Sequence, residues 1–112
     1  MVFYRSGIAI GSIDHTNTTT GYRTSSDARL KDDLRPFDAG EIIDKTNVYD
    51  FRWKSSGARA HGVMAQEAIE VYPEAAHHHE ELDWWGTDYS KYVPVLLQEV
   101  KSLRARVAVL ET

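Results

Sequence analysis

Seven residues towards the C-terminal end of the chain, Tyr89, Val93, Leu96, Val100, Leu103, Val107 and Leu110, are spaced 4-3-4-3-4-3. On a helix this period makes one narrow apolar stripe, with Val at three successive a positions and Leu at three successive d positions of a heptad. Such a stripe needs another helix to cover it, and each side chain contributes about 1.5–3 kcal/mol when fully buried. The flanking charges give a direction. Glu99 at a g position would face Arg104 of a parallel neighbour, and Arg106 would face Glu111. Both pairs are opposite in sign, so a parallel, in-register assembly is expected. Val at a with Leu at d leans towards two strands, whereas Leu97 at an e position widens the apolar face and supports a larger assembly.

Length and charge narrow the partners. A chain of 112 residues has room for one small domain, and a domain of this size buries only about two-thirds of its unfolded surface. Oligomerisation is a common remedy. The net charge of -4 gives no basic footprint for nucleic acid, and none is expected as a partner. There is no cysteine, which excludes disulfides and thiolate metal sites. Apolar runs fall far short of the ~20 residues of a membrane helix, and the first residues do not read as a signal peptide. A soluble chain with no membrane partner is expected.

Residues 1–25 differ from the rest. Ser6 to Ile13 alternates small or polar residues with Ile, a strand-like period of two, and a β-branched polar run follows from Thr16 to Thr20. This suits the end of a fibre stalk whose partner strands come from other chains. From Ser26 the pattern is mixed, so an α+β fold is expected for residues 26–112. Pro36 can open a short helix that buries Ile42 and Ile43. Tyr49, Phe51 and Trp53 alternate with Asp50, Arg52 and Lys54, giving a strand with one aromatic face, and Ser55-Ser56-Gly57 is a turn. Val63 to Tyr72 reads as a helix stopped by Pro73. A short strand is expected around Leu82 to Trp85. Ser90 is the expected N-cap of the last helix, about 90–112, with Pro94 in its first turn.

The chemistry-bearing stretch is Ser26-Asp27-Ala28-Arg29-Leu30-Lys31. A serine hydroxyl is a poor nucleophile without a neighbouring base. A lysine can be that base when burial or a nearby positive charge leaves it partly neutral. In a strand, positions five apart point to opposite faces, and in a helix they lie about 140° apart. Either a sharp turn joins Ser26 to Lys31, or Lys31 serves a neighbouring chain. The bland alternative is a turn-capping serine beside a solvated charge. His77-His78-His79 with Glu80, Glu81 and His61 suggests a metal, but three consecutive histidines cannot point one way, and no metal site is expected. Trp84 and Trp85 are expected to pack and not to form a sugar platform. Gly62 to Glu67 reads as structural, with Gly62 permitting a tight turn into the helix and Gln66 holding a buried backbone group.

Taken in order, Ser26 to Lys31, Tyr49 to Lys54, Gly62 to Glu67, Tyr72-Pro73-Glu74, Asp88-Tyr89-Ser90 and the helix through Leu103 and Leu110 resemble one known family. It is the C-terminal intramolecular chaperone domain of phage tail fibres, tailspikes and endosialidases, the self-cleaving S74 peptidases. The resemblance implies that residues 1–25 end a passenger fibre and that 26–112 form a chaperone and autoprotease domain. It implies a homotrimer with a three-stranded coiled coil, and no cofactor. It makes Ser26 the nucleophile that attacks the carbonyl of Ser25, and Lys31 the general base, so that the Ser25–Ser26 bond is cut once. Arg29 or backbone amides near Gly62 are candidate donors for the oxyanion. Assembly would take place in the host bacterial cytoplasm, with the passenger ending in the virion tail. The alternative from another functional class is a non-cleaving structural or receptor-binding fibre tip.

Overall fold

The computed structural model describes residues 1–112, which divide into two units, Met1–Pro36 and Phe37–Thr112. Within the first, Ser6 and Gly7 both take positive φ, 52° and 78°. That pair makes a type I′ turn, whose twist suits an antiparallel hairpin. It joins β1 (Val2–Arg5) to β2 (Ile8–His15). Thr16 closes the next turn, its hydroxyl accepting from the backbone N–H of Thr18 and Thr19, and β3 (Thr20–Thr24) returns along β2. The result is an antiparallel meander in the order β1-β2-β3.

Two sequence expectations change here. The strand read from Ser6 begins at Ile8, because Ser6 and Gly7 form the turn. The strands also find partners within their own chain, since β2 pairs with β1 on one side and β3 on the other. Only the outer edges of β1 and β3 are open to other strands.

The second unit is α+β. The helix α1 (Ala39–Lys45) starts three residues beyond Pro36, at the Asp38 side chain, which accepts from Glu41 N–H at 3.3 Å. Its buried residue is Ala39, while Ile42 and Ile43 are half-buried. The strands β4 (Tyr49–Arg52) and β5 (Arg59–Gly62) form a hairpin. Phe51 and Trp53 meet edge to face at 5.0 Å, so the aromatic face is real. The helix α2 (Ala65–Val71) is two residues shorter than expected at its start and one at its end, and Pro73 begins a separate 3-10 turn. A second hairpin pairs β6 (Ala76–His79) with β7 (Trp84–Thr87), placing the strand two residues later than Leu82.

The chain ends in α3 (Tyr92–Leu110). No side chain caps α3 itself, which begins after Lys91. Asp88, not Ser90, caps the 3-10 turn (Tyr89–Lys91) that leads into it, its carboxylate accepting the Ser90 N–H at 3.0 Å and the Ser90 hydroxyl at 2.5 Å. The Ser90 hydrogen bonds hold the Asp88 carboxyl below its ordinary range. A folded pKa below the unfolded one contributes stability at neutral pH that is lost as pH falls through the lowered value. Asp88→Ala is therefore expected to cost about 0.5–1 kcal/mol at pH 7, the lower part of the range for a lost cap, because the group is exposed. Thermal unfolding should show this difference shrinking in acid, once the wild-type carboxyl is protonated.

What is buried is small. The buried apolar residues are Ala39, Ala65, Ala68, Ala75, Tyr92 and Val95, and Val95 is the largest side chain that is fully enclosed. Where α1 meets α3, a Cβ at Gly40 would lie 3.2 Å from the Asp38 carboxylate and 3.3 Å from that of Glu99. Thus α3 turns Tyr92, Val95, Glu99 and Ser102 inward. The residues of the heptad stripe within the helix, Val93, Leu96, Val100, Leu103, Val107 and Leu110, are each at least 45% exposed. Tyr89 is not in the helix but in the 3-10 turn before it. Glu99 and Arg106 line the groove between α1 and α3 of the same chain.

Candidate functional site

Beyond β3 the chain leaves the sheet. The last backbone bond to the meander is from Ser25 N–H to the Ile10 carbonyl, at 2.9 Å. Ser26 follows immediately. The Asp27 side chain then accepts the Arg29 N–H at 2.9 Å, an Asx-type turn. Residues Ala28–Leu30 wind into one 3-10 turn, closed by Leu30 N–H to the Asp27 carbonyl at 3.1 Å and Lys31 N–H to the Ala28 carbonyl at 3.2 Å.

This turn answers the spacing problem posed by Ser26 and Lys31. It folds the chain back so that Lys31 Nζ donates to Ser26 Oγ at 2.8 Å within one chain. Neither a strand nor an α-helix could do this across five residues. Both side chains are exposed. An ammonium has no lone pair to offer, so a base role requires the lysine to lose its proton first, which burial favours. Leu30 and Leu34, one and three residues along the chain from Lys31, are 59% and 86% exposed.

Arg29 is engaged elsewhere. Its Nε and Nη2 donate to the Asp27 carboxylate, the shortest bond at 2.7 Å. The guanidinium beside Asp27 holds that carboxyl below its ordinary range. Arg29 is thus tied to Asp27, which weakens it as an oxyanion donor. Asp27 is the residue that sequence reasoning passed over. Its signal was present, since an aspartate two residues before a bend can cap it.

The Gly62 to Glu67 stretch lies in the second unit and has structural contacts. A Cβ at Gly62 would lie 2.5 Å from Tyr89 Oη and 3.2 Å from Phe51. Tyr89 Oη accepts the Val63 N–H at 3.2 Å, so this amide already has a partner. Glu67 accepts from Tyr49 Oη at 2.9 Å and from Asn47 Nδ2 at 3.1 Å, tying β4 to α2. That bond to Glu67 raises the Tyr49 pKa. Gln66, expected to hold a buried backbone group, is exposed.

The histidines do not converge. His78 stacks on Trp85 at 4.1 Å and bonds Asp83 at 2.9 Å, while His77 and His79 stand on the other face of β6 beside Trp84. Trp85 is packed in this way, but Trp84 is 59% exposed.

Residues 26–77 match the family model of peptidase S74, the chaperone of endosialidase. The resemblance read from the residues is borne out over that stretch, and its description points to an intramolecular chaperone role and to peptidase activity in general. No curated protein matches the chain.

Proposed function

From this S74 chaperone region at residues 26–77, we propose that the chain trimerises and folds a phage fibre or tailspike, then cuts itself free between Ser25 and Ser26. The observation that carries the reading is the 2.8 Å contact of Lys31 Nζ with Ser26 Oγ. It lies one residue beyond the last bond of the meander. A cut there leaves every ladder bond of the sheet intact, so release need not unfold the passenger.

In the reaction, the neutral Lys31 amine takes the Ser26 hydroxyl proton as Oγ attacks the Ser25 carbonyl carbon. The tetrahedral oxyanion collapses, the C–N bond breaks, and the Ser26 nitrogen leaves with the proton returned by Lys31. An ester then joins the Ser25 carbonyl to Ser26 Oγ. Water hydrolyses it, giving a Ser25 carboxylate and a chain that begins with the Ser26 amine. Assembly supplies what the exposed pair lacks: covering Leu30 and Leu34 excludes water from Lys31 and favours its neutral form. Cleavage thereby follows correct assembly.

Trimerisation uses the exposed face of α3. Long intertwined β-fibres fold slowly because distant segments and separate chains must find register, and a parallel helical seam supplies it. After release, the unfolding barrier keeps the fibre trimeric. The test is Ser26→Ala in the complete fibre polypeptide. The variant fibre should keep its tip and come apart in detergent at a temperature that wild type survives. Equal resistance would instead favour a retained, non-cleaving tip.

A further inference from the structure

We propose that Asp27 is the positioning residue of the self-cleavage site: its side-chain oxygen, through the Arg29 amide, holds Ser26 and Lys31 at reacting distance. This rests on the Ser26–Lys31 reading above. Asp27 forms no bond to either partner and is half-buried while its neighbours Ser26 and Ala28 are exposed. It acts on the backbone between them. Asp27 Oδ1 takes the Arg29 N–H at 2.9 Å, which draws residues 27–29 into the bend that the next two backbone bonds complete. Without that bond, the backbone of this exposed segment is held only by the two bonds of a single 3-10 turn. The segment relaxes towards extended conformations in which residues five apart diverge.

The Asp27–Arg29 ion pair has a lesser part. Its Arg29 side chain is 88% exposed, and ion pairs of this kind contribute little. The pair engages the carboxylate, but the bend depends on the acceptor oxygen and not on the charge. Capping oxygen and charge can be separated by two substitutions. Asp27→Asn keeps an oxygen at the same distance from the backbone and removes the charge. Asp27→Glu keeps the charge and moves the oxygens one methylene further out.

The rate of appearance of the cut product should be followed by mass in assembled full-length protein, with wild type, Ser26→Ala and Lys31→Ala alongside. Asp27→Glu and Asp27→Ala should cleave about fivefold more slowly than wild type, the population change that loss of a typical cap produces. Asp27→Asn should stay within about twofold. If Asp27→Ala fails to assemble, the Asn and Glu variants decide alone. A fast Glu variant with a slow Asn variant would mean that the charge matters and would overturn the inference, as would wild-type rates in all three. Hydroxylamine, which opens esters, should not restore the slow variants, because the defect precedes ester formation. Restoration would place it at ester hydrolysis and contradict positioning of the attacking pair. Cleavage of wild type with intact Ser26→Ala and Lys31→Ala chains shows that the dyad reading stands independently of this result. An uncut wild type removes both.

Discussion

Lys31→Ala is expected to leave the assembled protein almost entirely full-length, with the cleavage rate down by about 10²–10⁴, the usual contribution of a positioned general base. The substitution removes the only side chain bonded to Ser26 Oγ, and no buried contact goes with it, because Lys31 is exposed. Assembly and melting behaviour should therefore stay at wild-type values. Lys31→Arg is as informative, since a guanidinium keeps the charge but does not give up its proton in a protein. It should be as inactive as alanine. An Arg variant that cleaves well would assign Lys31 an electrostatic part in place of proton transfer. Mixed trimers of Ser26→Ala and Lys31→Ala chains test whether the pair works across chains. The bond within one chain predicts no cut product from them.

Val100→Asp with Leu103→Asp should convert a trimer into single chains. Both residues lie on the exposed side of α3, at 54% and 45% exposure, away from Val95 and Tyr92, which anchor the helix to its own unit. The substitutions thus leave the internal core untouched and act on association. Each apolar side chain lost from a seam forfeits about 1.5–3 kcal/mol, in every chain at once, and the introduced carboxylates repel one another where they meet. Light scattering should report the mass of one chain, while circular dichroism keeps the mixed helix and strand signature of the second unit. The same variant should not cleave, because in the proposed function cleavage follows assembly. A double variant that still forms trimers would place the assembly surface elsewhere. One that cleaves as a single chain would uncouple cleavage from assembly.

The parts of the fold that were legible in the sequence are those governed by local period. The helix α3 and its outward stripe follow from 4-3 spacing, and the Phe51 and Trp53 face follows from alternation ended by Ser55-Ser56-Gly57. The Ser6-Gly7 turn was missed because Ser in a left-handed conformation lacks the strong signal of Asn or Asp before Gly. Pairing of β1, β2 and β3 within one chain was missed because strand partnership is a non-local property, and an isolated alternating run fits a neighbour's sheet equally well. Helix starts differ where a capping side chain decides the local turn: Asp38 in place of Pro36 opens α1, and Asp88 in place of Ser90 caps a 3-10 turn that precedes α3. At the site, the residue pair was legible but its geometry was not. The Asp27 bond that folds Lys31 back onto Ser26 is a side-chain-to-backbone contact, which periodicity does not register. The role of Tyr89 was hidden similarly, since its hydroxyl reaches Val63 across 26 residues.

In the proposed function, Ser26 cuts the bond before it. Intact mass spectrometry of the purified, assembled wild-type protein beside Ser26→Ala tests it directly. The expected result is two wild-type fragments that meet between Ser25 and Ser26, and one full-length mass for the variant. A single full-length mass for assembled wild type, or fragments that persist in Ser26→Ala, would contradict it.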